Sequence, residues 1–139
     1  MKWLTVCFLA FSLAFVGCAA KQGVTNPAEK PDVFCQVEQP PNPLLMGTWE
    51  GAFRQRGEEF PSYIKYTLVK YQDNYAINFF RSWKQGRKRN SGWRSWIVNE
   101  NQITGLPRKF GVRIFVKGQD VYFIMRDMDK PVKMTRVSS

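Results

Sequence analysis

From residue 47 onward the chain alternates. Trp49, Gly51 and Phe53 share one side of "GTWEGAFR", while Thr48, Glu50, Ala52 and Arg54 take the other, which is the period of a half-buried strand. The same period returns in "SYIKYTLVKY", with Ile64, Tyr66 and Leu68 together, and in "NYAINFFRSW", with Tyr75, Ile77 and Phe79 together. "GWRSWIVNE" alternates less cleanly, Trp96 and Val98 lying against Ser95 and Ile97. Residues 111–137 give three short strands carrying Val112, Ile114 and Val116, then Val121, Phe123 and Met125, then Val132 and Met134. Polar runs of hairpin length separate them, at residues 72–74, 99–102, 117–120 and 127–130.

No window after residue 46 sustains a helical period over three turns. The expectation is an all-β domain over residues 46–139: a small antiparallel up-and-down barrel of seven or eight strands. Closure is the simplest way for such a meander to remove its edges, and a two-sheet sandwich is the alternative.

The first 45 residues read differently. Met1 and Lys2 precede an apolar run over residues 4–16, broken only by Thr5 and Ser12. Roughly 13 residues suit a signal-peptide core of about 7–15 and fall short of the roughly 20 that span a bilayer. A buried core helix would show polar residues on its outer face, and this run has almost none. Residues 18–45 follow with prolines at 27, 31, 40, 41 and 43 and no periodic apolar pattern, the signature of a disordered tether. Its end, residues 43–46, is expected to dock on the domain as a short turn.

"FVGC", residues 15–18, resembles the bacterial lipobox, in which a small residue precedes a cysteine that is acylated before cleavage on its N-terminal side. Phe15 stands where that motif usually has leucine. The resemblance implies a signal peptide over residues 1–17, lipid attachment at Cys18, and a membrane partner reached through the N-terminal acyl chains. Cleavage after Ala20 by the ordinary signal peptidase is the alternative. Ala19 is not the aspartate that marks inner-membrane retention in such lipoproteins, so the implied address is the outer membrane of a bacterial envelope, facing the periplasm. Cys7 leaves with the signal peptide, so Cys35 is left alone, as an inert thiol or an intermolecular disulfide.

"LLMGTWEG", residues 44–51, is similar to the opening strand of lipocalin-like proteins, and "VKMTRV", residues 132–137, to the last strand of bacterial lipocalin-like lipoproteins. The resemblance implies a lipocalin-like barrel in which Arg136 lies across Trp49 and seals one end, and a small hydrophobic molecule as ligand. The family's middle turn signature and its C-terminal helix are missing. Trp49, Phe53, Tyr66, Phe79, Trp96, Phe115 and Phe123 are the candidates to line a cavity; aromatics at strand spacing fill cores as readily.

Charge points elsewhere. The chain has a net charge of +10, and the signal segment removes only Lys2. Since the tether's Lys21 and Lys30 are matched by acids, the excess lies on the folded part, concentrated in residues 81–94. Arg81, Lys84, Arg87, Lys88, Arg89 and Arg94 stand there with no acid and with Trp83 and Trp93 beside them. Gly86, Asn90, Ser91 and Gly92 suggest a long, solvated hairpin tip. Such a loop suits anionic lipid, lipopolysaccharide or a protein partner, because Arg and Lys meet phosphate while indoles settle at the interface. A solvated loop that only keeps the chain soluble is the plain alternative. Nucleic acid is not expected, since a signal peptide takes the chain away from it.

Catalysis is not expected either. Histidine is absent, no metal-ligand cluster or phosphate loop is visible, and Glu58 and Glu59 are adjacent on a loop instead of converging on a cleft. No cofactor is implied.

Overall fold

In a computed structural model, residues 29–137 are described; the signal segment and Cys18 lie outside them. The chain is all-β. Eleven strands run in the order β1 (Gln36–Val37), β2 (Gly47–Phe53), β3 (Ser62–Tyr71), β4 (Asn74–Trp83), β5 (Lys88–Arg94), β6 (Ile97–Asn99), β7 (Gln102–Thr104), β8 (Arg113–Lys117), β9 (Asp120–Ile124), β10 (Val132–Lys133) and β11 (Thr135–Arg136). They form two sheets, ordered β11-β2-β3-β4-β5 and β1-β6-β7-β8-β9-β10. All pairings are antiparallel except β1 with β6.

The expected closure into one barrel does not occur. β5 pairs only with β4, and after Ser95 and Trp96 the chain enters β6, which pairs with β7 and β1 instead. At the other seam the last strand changes sheets: Val132 and Lys133 pair with β9, Met134 N–H donates to the Val121 carbonyl at 2.8 Å, and Thr135 and Arg136 pair with β2. The sheets therefore face each other, stitched firmly along the β9–β2 side and less so beside β5.

Residues 35–42, expected as part of the tether, lie against the domain, and residues 43–45 make the expected short turn. Cys35 N–H donates to the Tyr75 carbonyl at 2.8 Å, and the N–H groups of Gln36 and Glu38 donate to the Trp96 and Val98 carbonyls. β1 thus reaches the start of β4 in one sheet and covers the edge of β6 in the other. Its prolines flank the strand and do not interrupt it, so donors remain where the edge needs them. Asn42 then caps a short 3₁₀ turn, Pro43–Leu45, accepting from Leu44 N–H at 2.9 Å, and buries Leu45 completely.

Inward positions of both sheets supply the core. Trp49, Phe53, Ile64, Tyr66, Leu68, Ile77 and Phe79 meet Val98, Ile103, Ile114, Val121 and Phe123. Phe123 stacks at 6.3 Å on Phe79 and lies 5.2 Å from Phe53. Among the described residues, the strands and the buried hydrophobic cluster lie between residues 36 and 136 and form one continuous folded unit.

Candidate functional site

One end of the two-sheet stack is plugged. Trp49 is 6% exposed and donates from Nε1 to the Met46 carbonyl at 3.2 Å. The guanidinium of Arg136, its cross-strand neighbour, lies 4.4 Å from the indole centroid and donates to the Met46 and Leu44 carbonyls at 3.0 and 3.2 Å. Gly47 has a positive φ of 89°, and a Cβ there would sit 2.9 Å from an Arg136 nitrogen, so glycine both permits the turn and makes room for the cation. Beneath them Tyr66, 1% exposed, donates to the Leu45 carbonyl at 3.0 Å, and burial holds its phenol far above the usual range.

The other end is open. A cleft of about 310 Å³ enters between the sheets beside β5, lined by Phe79, Arg81, Trp83, Asn90, Arg94, Trp96, Leu106, Pro107, Phe110, Val112 and Met125. Its apolar floor is built from both sheets, with Phe79 and Trp96 at 4.8 Å and Trp96 Nε1 donating to the Leu106 carbonyl at 3.2 Å. The β7–β8 connection forms the far wall. It is held close by Gly105, whose N–H donates to the Val112 carbonyl at 2.8 Å and where a Cβ would meet that of Val112 at 2.6 Å.

The seven aromatic candidates divide by location. Phe79 and Trp96 line the cleft. Trp49 and Tyr66 belong to the plugged end, and Phe53 and Phe123 fill the space between. Phe115 does not face inward: Ile114 is fully buried, so its neighbour turns to the outer face of the sheet, where it stacks on Tyr122 at 5.7 Å.

The basic stretch is a strand hairpin instead of a long mobile tip. β4 runs to Trp83, residues 84–87 make the turn, and β5 starts at Lys88. Lys84, Arg87, Lys88 and Arg89 are exposed around that turn, and Glu58 and Glu59 share a shallow depression with Lys84 and Arg87. Arg81 and Arg94 belong to another environment. Arg81 shares the inward parity of Ile77 and Phe79, and it pairs in register with Asn90. Its Nη2 donates to Gln55 Oε1 at 2.5 Å, its guanidinium lies 4.7 Å from the Trp83 ring and 5.9 Å from the Phe53 ring, and its buried Nε has no hydrogen-bond partner. Burial lowers its pKa below the ordinary guanidinium value, with the charge of Glu58 acting in the opposite sense. Arg94 Nη2 donates to Asn90 Oδ1 at 2.5 Å.

Cys35 is half-buried against the core, and burial pushes its thiol up to about 11. Among the described residues no group of His, Cys, Asp or Glu is placed to hold a metal ion, and no helix is long and apolar enough to cross a membrane. Compared with known protein families, curated proteins and solved structures, the chain matches none.

Proposed function

We propose that this protein is a membrane-anchored lipoprotein of the bacterial envelope whose domain, an opened variant of the lipocalin-like barrel, binds a small hydrophobic molecule between its sheets. The observation that carries the reading is the cleft. It is concave, reaches apolar side chains of both sheets, and has the volume of a small-ligand site, about 300–1,000 Å³. The plugged end supports it by leaving a single rigid floor. Attachment rests on the sequence at Cys18, where more than one acyl chain is needed for stable anchoring because a single chain binds only marginally.

Two experiments test the parts separately. Native mass spectrometry of residues 29–139 from a bacterial host is expected to show an apolar mass that leaves on denaturation; a protein that neither carries such a mass nor takes up an added apolar probe refutes the binding reading. Cys18→Ala in the full chain is expected to release the protein from the membrane fraction, and retention refutes the anchor.

A second reading, in which the domain is an envelope interaction module contacting anionic lipid, lipopolysaccharide or a protein partner, is favoured by the exposed Lys84, Arg87, Lys88 and Arg89. It requires that turn and tolerates a blocked cleft. Neutralising the four residues separates the two readings by abolishing vesicle binding while leaving apolar-probe binding intact.

A further inference from the structure

We propose that the cleft selects amphiphiles with one apolar chain and a small anionic head, the head held by Arg81 at the mouth and the chain laid over Phe79 and Trp96. This rests on the binding reading above and names its ligand class. Arg81 is a cation set on an inward strand position, one pleat beyond Phe79, in a lining that contains no acid. A guanidinium partly withdrawn from water with no carboxylate bonded to it, Glu58 acting only through its charge, is costly, and an anion arriving with the ligand offsets part of that cost.

The surroundings fit a ligand contact better than a completed internal pair. Among the described residues Arg81 has no ion pair, and its one side-chain acceptor is the neutral amide of Gln55. Gln55 and the rings of Trp83 and Phe53 hold the guanidinium in position, while Nε is left without a partner. Asn90, opposite Arg81 in register, holds Arg94, so a second guanidinium faces the same space. A shallower depression adjoins the cleft at Arg81, Phe110 and Met125; Lys109 and Arg126 line it with one acid, Asp127. A planar fork of donors suits either a carboxylate or a phosphate monoester, and an apolar floor suits one chain.

The test compares ligands that differ only in the head. Residues 29–139 are titrated by calorimetry with decanoate, decyl phosphate and 1-decanol, each below its aggregation limit, using the wild type, Arg81→Met and Arg81→Lys. The wild type is expected to bind at least one of the two anions tenfold or more tighter than decanol. Arg81→Met should remove that preference, bringing the anions down to the affinity of decanol, and Arg81→Lys should restore part of it. The stronger of the two anions identifies the head as carboxylate or phosphate. Equal affinity for anions and decanol in the wild type, or a preference that survives in Arg81→Met, overturns the anionic-head assignment while leaving an apolar cleft in place. Failure of all three ligands to bind overturns the binding reading itself.

Discussion

Replacing Trp49 tests how the plugged end contributes to stability. The indole is almost completely buried, donates to the Met46 carbonyl and carries the Arg136 guanidinium on its face. Truncation to alanine removes a large apolar group and leaves a space that the rigid β2–β3–β4 ladders cannot collapse into, which costs about 3–5 kcal/mol. A domain of this size has about 5–15 kcal/mol in total, so Trp49→Ala removes about a fifth of its stability or more. Urea unfolding followed by far-ultraviolet circular dichroism avoids the lost fluorophore, and the midpoint should fall by more than about 1 M. The cation's share comes from a cycle of Trp49→Leu, Arg136→Met and the double variant. Because Arg136 is exposed, the coupling should be about 0.5–1 kcal/mol, whereas Arg136→Met alone should cost more, since two carbonyls lose a donor. A loss under about 1 kcal/mol for Trp49→Ala would refute the buried plug, and a null coupling would refute the stack's contribution.

Gly105→Ala should lower stability by about 1–3 kcal/mol, because the new methyl overlaps Val112 and must push the β7–β8 connection outward; an unchanged thermal midpoint would show that the approach is not tight. Cys35, with its thiol pushed up to about 11 against an ordinary value of 9.0, should be alkylated about a hundredfold more slowly at pH 8 in folded residues 29–139 than in urea, and equal rates would refute its burial. Its folded pKa lies above the unfolded one, so the stability it contributes is complete below about pH 9 and is lost as pH rises towards 11; alkaline conditions should therefore favour unfolding.

What the sequence made legible is what side-chain alternation encodes. β2, β3 and β9 bury alternate positions that spacing alone reveals, whereas β4 buries Ala76 and Asn78 on its other face as well as Ile77 and Phe79, and β8 buries only Ile114. Phe115 follows strand parity and not aromatic character: Ile114 and Val116 hold the inner face, and Phe115 lies outside on Tyr122. β1 carried no such signal. Gln36 and Val37 are both exposed, and the segment is ordered by backbone donors meeting a sheet edge, a cause that leaves no mark on residue type.

β5 shows why the functional end was the harder part. Its inward positions are Lys88, Asn90, Gly92 and Arg94, so "KRNSGWR" has no apolar period, and its order comes from the ladder with β4. The same composition accounts for the open seam. Closing β5 against the other sheet would carry Asn90 and Arg94 into an apolar interior with only each other as partners, and burying an unpaired guanidinium costs several kcal/mol. Leaving that side open keeps both groups hydrated and exposes Phe79 and Trp96 to the space between the sheets. Gly92, opposite Phe79, adds no Cβ to fill it. The residues that hid the strand from a hydrophobic pattern are therefore the ones that keep the sheets from closing, and the gap they hold open is the cleft over which Arg81 stands.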